Sequence, residues 1–199
     1  KVPKGNYIIL NGTQRDNNSF MINEGYHKVL NPLVESGDIK IIGETWIDAW
    51  RDEGSYEYVS KILNNGENVD AIIAANDQLA EGAITALSEN RLAGKVFVTG
   101  QDAELGACQR IVEGTQGMTV YKPISILAEG AAEVAVKMAK GEDIGHYDLI
   151  SDGTNNVKCK IYRPILVTKD NIDQTVIKDG FFTVEQVYAN LPQGIRPTD

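Results

Sequence analysis

Five short runs of β-branched, aromatic and aliphatic residues alternate with stretches of helical periodicity through the first 121 residues, and this alternation narrows the folds open to the chain more than any other feature. The runs are Tyr7–Leu10, Ile39–Ile42, Ala71–Ala74, Val96–Thr99 and Met118–Tyr121, each followed by a polar segment. Between them apolar residues recur every three or four positions, as in Ile22, Tyr26, Val29, Leu30 and Leu33, or Leu79, Ala80, Ala83, Ile84 and Leu87. Such a stripe lies on one face of a helix, whereas a short unbroken apolar run suits a strand covered on both sides. Strands and helices in this order pack as a parallel sheet with helices on both faces, joined by right-handed crossovers. The expected fold class is α/β, a doubly wound parallel sheet flanked by helices.

The pattern changes after Tyr121. Lys122-Pro123 interrupts it, and an amphipathic stretch then carries Ile124, Leu127, Ala128, Ala131, Val134, Ala135 and Met138 before Gly141. That spacing predicts a helix whose stripe needs a cover. A hairpin is expected next, with Asp152-Gly153-Thr154-Asn155-Asn156 as its turn and a strand through Cys159–Val167. A Lys/Asp-rich stretch over Thr168–Asp179, a short helix over Thr183–Asn190 and a tail over Leu191–Asp199 complete the reading.

Composition removes several classes of function. With 42% hydrophobic and 24% charged residues, 199 residues can bury the core of one domain or slightly more. A net charge of −9 with no Lys/Arg cluster gives no phosphate-neutralising surface, so nucleic acids and anionic membranes are poor partners. No apolar run approaches the roughly 20 residues that span a bilayer. The two cysteines, Cys108 and Cys159, are too few for a disulfide framework and lack zinc-ligand spacing. Cys108 follows Leu105 and precedes Ile111 and Val112 at helical spacing, as a small buried hydrophobe would. No metal and no cofactor is expected.

In an open parallel sheet, ligands bind in the crevice beyond the carboxyl ends of the strands. The residues there are Asn11 to Asn18 after the first run, Glu44 to Trp50 after the second, Asn76 and Asp77 after the third, Gly100 to Asp102 after the fourth, and Lys122 after the fifth. A neutral sugar offers hydroxyls that donate and accept, and a weakly apolar C–H face. Asp16 and Asp102 can accept from hydroxyls, Asn18 and Asn76 can do both, Lys122 can donate, and Trp50 can lie flat on the C–H face. Each position also has a structural reading: Asp16, Asn17 or Asn18 as a helix N-cap, Asp77 as the cap of a helix beginning at Gln78, Trp46 as packing at a strand end.

Enzyme signatures are missing from the same positions. His27 lies on a polar helix face and His146 in a Gly-flanked loop, so neither suggests the base of a nucleophile. There is no nucleophile elbow, no Walker-type phosphate loop and no dinucleotide fingerprint after the first run, and no catalytic residue is expected.

At these positions the chain resembles the bacterial D-xylose-binding periplasmic proteins, a branch of the pentose/hexose receptors of ABC importers. The resemblance rests on VPKGNYIILNG at 2–12, DNN at 16–18, KVLNPLVESGDIKIIGETWIDAW at 28–50, DAIIAANDQLAEGAI at 70–84, GKVFVTGQDAEL at 94–105 and GTQGMTVYKPI at 114–124, and continues in VTKDNI at 167–172 and TVIKDGF at 175–181. It implies a type I periplasmic-binding fold, no catalysis, a periplasmic or cell-surface location, and sugar contacts at Asp16, Asn18, Trp50, Asn76, Asp102 and Lys122. The family more often has small residues where this chain has Gln78 and Leu79, and often Gly where it has Ala49. The resemblance further implies a C-terminal sugar-binding lobe over 1–122, a crossover at 123–150 that packs with an absent N-terminal lobe, a return over 151–190 and a tail over 191–199. The chain is then expected to be a fragment, a nicked product or one chain of a split assembly. Its partners would be a monosaccharide, the missing lobe or a companion chain, and an ABC permease. A histidine-kinase sensor domain is the alternative to the permease.

Overall fold

The computed structural model describes residues 3–151, 153–192 and 194. Four parallel strands form the main sheet: β1 (Gly5–Asn11), β2 (Ile39–Trp46), β3 (Ala71–Ala74) and β4 (Phe97–Val98), in the order β2-β1-β3-β4. The connecting helices are α1 (Asn17–Glu35), α2 (Asp52–Asn64) and α3 (Asp77–Glu89), and α4 (Leu105–Glu113) follows β4. The chain starts mid-sheet, moves to one edge and returns to the other, which is the doubly wound arrangement.

The core shows why β1 and β3 read as unbroken apolar runs. Ile8, Leu10, Ile72 and Ala74 pack in one buried cluster with Val59 of α2 and Leu79, Ala83 and Leu87 of α3. Their neighbours Tyr7, Ile9 and Ala71 pack in a second, with Leu30 of α1 and Ile39. Alternate residues of a strand point to opposite faces, so a strand covered on both sides must be apolar at every position. Cys108 is buried in α4 as a free thiol, its pKa pushed up to about 12 chiefly by that burial.

Several elements depart from the sequence expectation. β2 continues to Trp46 because β1 offers a ladder up to the pair Asn11↔Trp46. β5 (Thr119–Tyr121) pairs with β8 (Ile165–Val167) instead of joining the main sheet. β4 is only two residues long, and β5 is tied to the segment after it by two single bonds, Val120 N–H to Gly100 and Asp102 N–H to Val120, while Gly117 N–H, just before β5, donates to Val98. The strand expected over Cys159–Val167 is split, with β7 (Asn156–Cys159) ending before Pro164 and β8 starting after it. Proline has no N–H for a ladder. The Lys/Asp-rich stretch contains one turn of π-helix, Asp173–Ile177, and α6 is shorter than expected at Val184–Val187, opened by a Thr183/Gln186 capping box.

The chain divides into two compact units, Lys1–Tyr121 with Leu166–Asp199, and Lys122–Ile165. In the smaller unit α5 (Ile124–Lys140) ends at Gly141, whose φ of 70° is the left-handed conformation that glycine adopts most readily. The antiparallel hairpin of β6 (Asp148–Ser151) and β7 follows. Asp152 of the expected turn lies outside the described residues, as does most of the tail. Ile124, Val136 and Met138 of α5 are 59%, 53% and 67% exposed.

Candidate functional site

Because β1 to β4 are parallel, their carboxyl ends lie along one edge of the sheet, and the loops there are bound to one another. After β1 and β2, Ile47 N–H donates to Asn11 C=O at 3.0 Å, and Thr13 Oγ1 donates to Asp48 at 2.9 Å. The Thr13 hydroxyl, followed by the Arg15 charge, lowers the pKa of Asp48. Trp50 packs partly into the core, and its six-membered ring lies directly against Gly12. A hollow of about 300 Å³ beside this pair is lined by Thr13, Gln14, Arg15, Trp46 and Asp48. Trp46 packs on Phe20 with ring centroids 4.9 Å apart, in keeping with its expected packing role.

Asp16 caps α1, accepting from Asn18 N–H at 2.8 Å through one carboxylate oxygen, so this aspartate has a structural duty and a second oxygen besides. Asn18 is exposed. At the end of β3, Asn76 rather than Asp77 caps α3, its Oδ1 accepting from Leu79 N–H at 2.9 Å. That leaves the Nδ2 donor of Asn76 as the part a ligand could use.

Asp77, expected as a cap, is instead a buried junction. Its carboxylate accepts from Glu104 N–H at 3.0 Å, Gln116 Nε2 at 2.8 Å and Thr119 Oγ1 at 2.8 Å, while its own N–H donates to Gln101 C=O at 2.9 Å. Burial pushes its pKa up to about 6, outweighing those three donors. Thr119 Oγ1 in turn accepts from Ala103 N–H at 3.1 Å, and Arg110 donates to Asp77 C=O and to Gln116. The loop carrying Asp102 is thus held from beneath by α3, α4 and β5.

Backbone strain falls on these loops. Among the described residues five non-glycine positions have positive φ, and four of them, Ala49, Trp50, Asp102 and Ala103, sit directly after β2 and β4. Such conformations cost on the order of 1–3 kcal/mol each and persist only where the surroundings impose them. Ala49 has φ 54°.

Of the sequence-derived site residues, Asp16 and Asn18 share one cap, Trp50 adjoins Gly12, and Asn76 and Asp102 flank the Asp77 junction. Lys122 directly follows β5 and begins the smaller unit. Glu44, counted among the strand-end groups, is inside β2 and bonds to Asn11, Asn23 and His27 of its own unit. Sequence reasoning missed Gly12 and Asp77 as site-building residues; their partners lie 24 to 42 positions away in the chain.

Residues 1–143 match the periplasmic binding protein domain. The chain belongs to the periplasmic binding protein family. Within it, the chain is 48% identical over 94% of its length to a D-xylose-binding periplasmic protein of Haemophilus influenzae, and 45% identical over 90% to one of Escherichia coli. These alignments take in 56% and 55% of the relatives, so the chain spans about half the length of the curated relatives it matches. A carbohydrate transporter solute binding protein from Chloroflexus aurantiacus, solved with D-glucose, superposes with a TM-score of 0.82 at 23% identity, over 94% of this chain and 62% of its own, which shows the type I periplasmic-binding fold. An ABC transporter periplasmic solute binding protein from Actinobacillus succinogenes, solved with D-allose, gives 0.72 at 28% identity, over 86% and 56%.

Proposed function

We propose that this chain forms one wall of a monosaccharide site, with D-xylose favoured, in an extracytoplasmic sugar-binding protein that closes on its ligand by hinge motion and delivers it to an ABC permease. The observation that carries the reading is the set of strained, mutually bonded loops at the strand ends, in a chain 48% and 45% identical to proteins named for D-xylose binding. Trp50 stacks on the C–H face of the sugar. Asp16 and Asp102 accept from its hydroxyls, and Asn18, Asn76 and Lys122 complete the hydrogen bonds. None of these roles requires a cofactor or a bond-breaking step, so the protein is a receptor rather than an enzyme.

Hydrogen bonds to charged groups contribute about 1.5–3 kcal/mol each, and micromolar affinity needs about 8 kcal/mol beyond the costs of association. One wall falls short of that alone. Residues 1–122 and 166–190 form the wall, and the segment 123–165, which the structure keeps as one unit where the sequence suggested a return at 151, packs with a second lobe. The exposed Ile124, Ile126, Leu127 and Val136 of α5 support this, together with an open groove of about 440 Å³ along Leu127, Ala131, Val134 and Met138.

The test is calorimetric titration of D-xylose, L-arabinose and D-ribose into the chain with the second lobe supplied. Xylose should bind tightest, and Asp102→Ala should weaken it about ten- to a hundredfold, the worth of charge-assisted bonds. Affinity indifferent to both Trp50→Ala and Asp102→Ala would sink the assignment. Co-purification with permease subunits supports transport; capture of a kinase sensor domain instead would move the role to sensing.

A further inference from the structure

We infer that Gly12 is a positioning residue for Trp50, required for its lack of a side chain and not for its backbone conformation. Glycines that L-residues cannot replace usually have positive φ, and Gly12 is not among the positive-φ glycines of the described residues. Any residue could adopt its backbone. What it cannot carry is a Cβ, which would fall inside van der Waals contact of Cη2, Cζ2 and Cζ3 of the Trp50 ring.

Two further bonds make this contact a built feature. Thr13, next to Gly12, is bonded to Asp48, and Ile47 N–H is bonded to Asn11 C=O, so the segments on either side of the ring and the glycine are fixed at short range. Trp50 itself is held at φ 57°, which no local preference of tryptophan favours. With its own backbone in the left-handed region and its ring seated on Gly12, the indole has no slack to accommodate a methyl group. A methyl on Gly12 therefore displaces the ring, and the height and tilt of the stacking surface change with it. On this basis Gly12 sets where the apolar face of the sugar rests.

The inference deepens the proposed sugar site and rests on Trp50 as its stacking surface, and the experiment separates the two. The chain has two tryptophans, so Trp46→Phe leaves Trp50 as the sole indole, and phenylalanine keeps the pairing with Phe20. In that background Gly12→Ala should move the Trp50 emission to longer wavelength and raise its quenching by acrylamide, with no sugar present. Unchanged emission and quenching overturn the inference. If Gly12→Ala prevents folding, adding Trp50→Ala must restore it, and failure to do so also overturns the inference.

With the second lobe supplied, Gly12→Ala should lower xylose affinity about tenfold, in line with couplings between side chains in contact, and by less than about twofold when Trp50 is already alanine. Equal losses in both backgrounds would show Gly12 acting by another route. Xylose affinity indifferent to Trp50→Ala would remove the stacking role, while the emission result would still decide the Gly12 contact.

Discussion

A carboxylate that accepts three hydrogen bonds is ordinarily favoured in its charged form, yet burial prevails at Asp77 and pushes its pKa up to about 6. Between the unfolded value near 3.8 and that value, the folded chain binds more protons at this site than the unfolded chain does. The contribution of Asp77 to stability is therefore complete below the unfolded value and lost as pH rises through about 6. Asp77→Asn removes that dependence. In urea unfolding, the variant should gain on the wild type steadily from pH 4 to pH 7; a constant difference across the range would contradict the assignment. Residue roles of this kind were only partly legible in the sequence. Asp16 could be read as a cap because capping is local, and Asp16 does accept from Asn18. Asp77 could not be read as a junction, because Gln116 and Thr119 lie 39 and 42 positions away. Gly12 was invisible for the same reason, since Trp50 is 38 positions distant and its ring orientation is not a sequence property.

Helix α1, which carries Asp16 and Asn18 at its start, is fastened to the sheet by polar side chains as well as by packing. His27 Nε2 lies 3.1 Å from Glu44 and its Nδ1 3.0 Å from Asn31, while Asn23 bonds both Glu44 and Asn11. The bond to Asn31, then that to Glu44, raises the His27 pKa. The stabilisation is complete below the unfolded value near 6.5 and disappears as pH rises through the folded one. His27→Gln should accordingly speed amide exchange in α1 at pH 5.5 and have a smaller effect at pH 8. An effect as large at pH 8 would mean that charge plays no part. Elements buried on both faces were the most legible: Ala71–Ala74 reads as a strand and is one. The end of β2 was not, since Gly43-Glu44-Thr45-Trp46 has no apolar run and is strand only because β1 ladders beside it. β5 read as a fifth strand of the sheet and is held beside it by two single bonds, because the two-residue β4 is too short to template a ladder.

At the scale of the molecule, the order of strands and helices sufficed for the doubly wound fold, and the strand-end rule picked out loops that the structure bonds to one another. What the order could not give is what covers α5 of the smaller unit, Lys122–Ile165, where Ile124, Val136 and Met138 stay more than half exposed. The chain also spans only about half of relatives named for D-xylose binding. The account therefore predicts a receptor whose sugar affinity belongs to two lobes jointly. The most direct test is calorimetric titration of D-xylose into this chain alone and into the chain mixed with a separately produced second lobe. Weak or undetectable heat alone, with clear one-to-one binding once that lobe is present, is the predicted result, and equal affinity in the two titrations would contradict it.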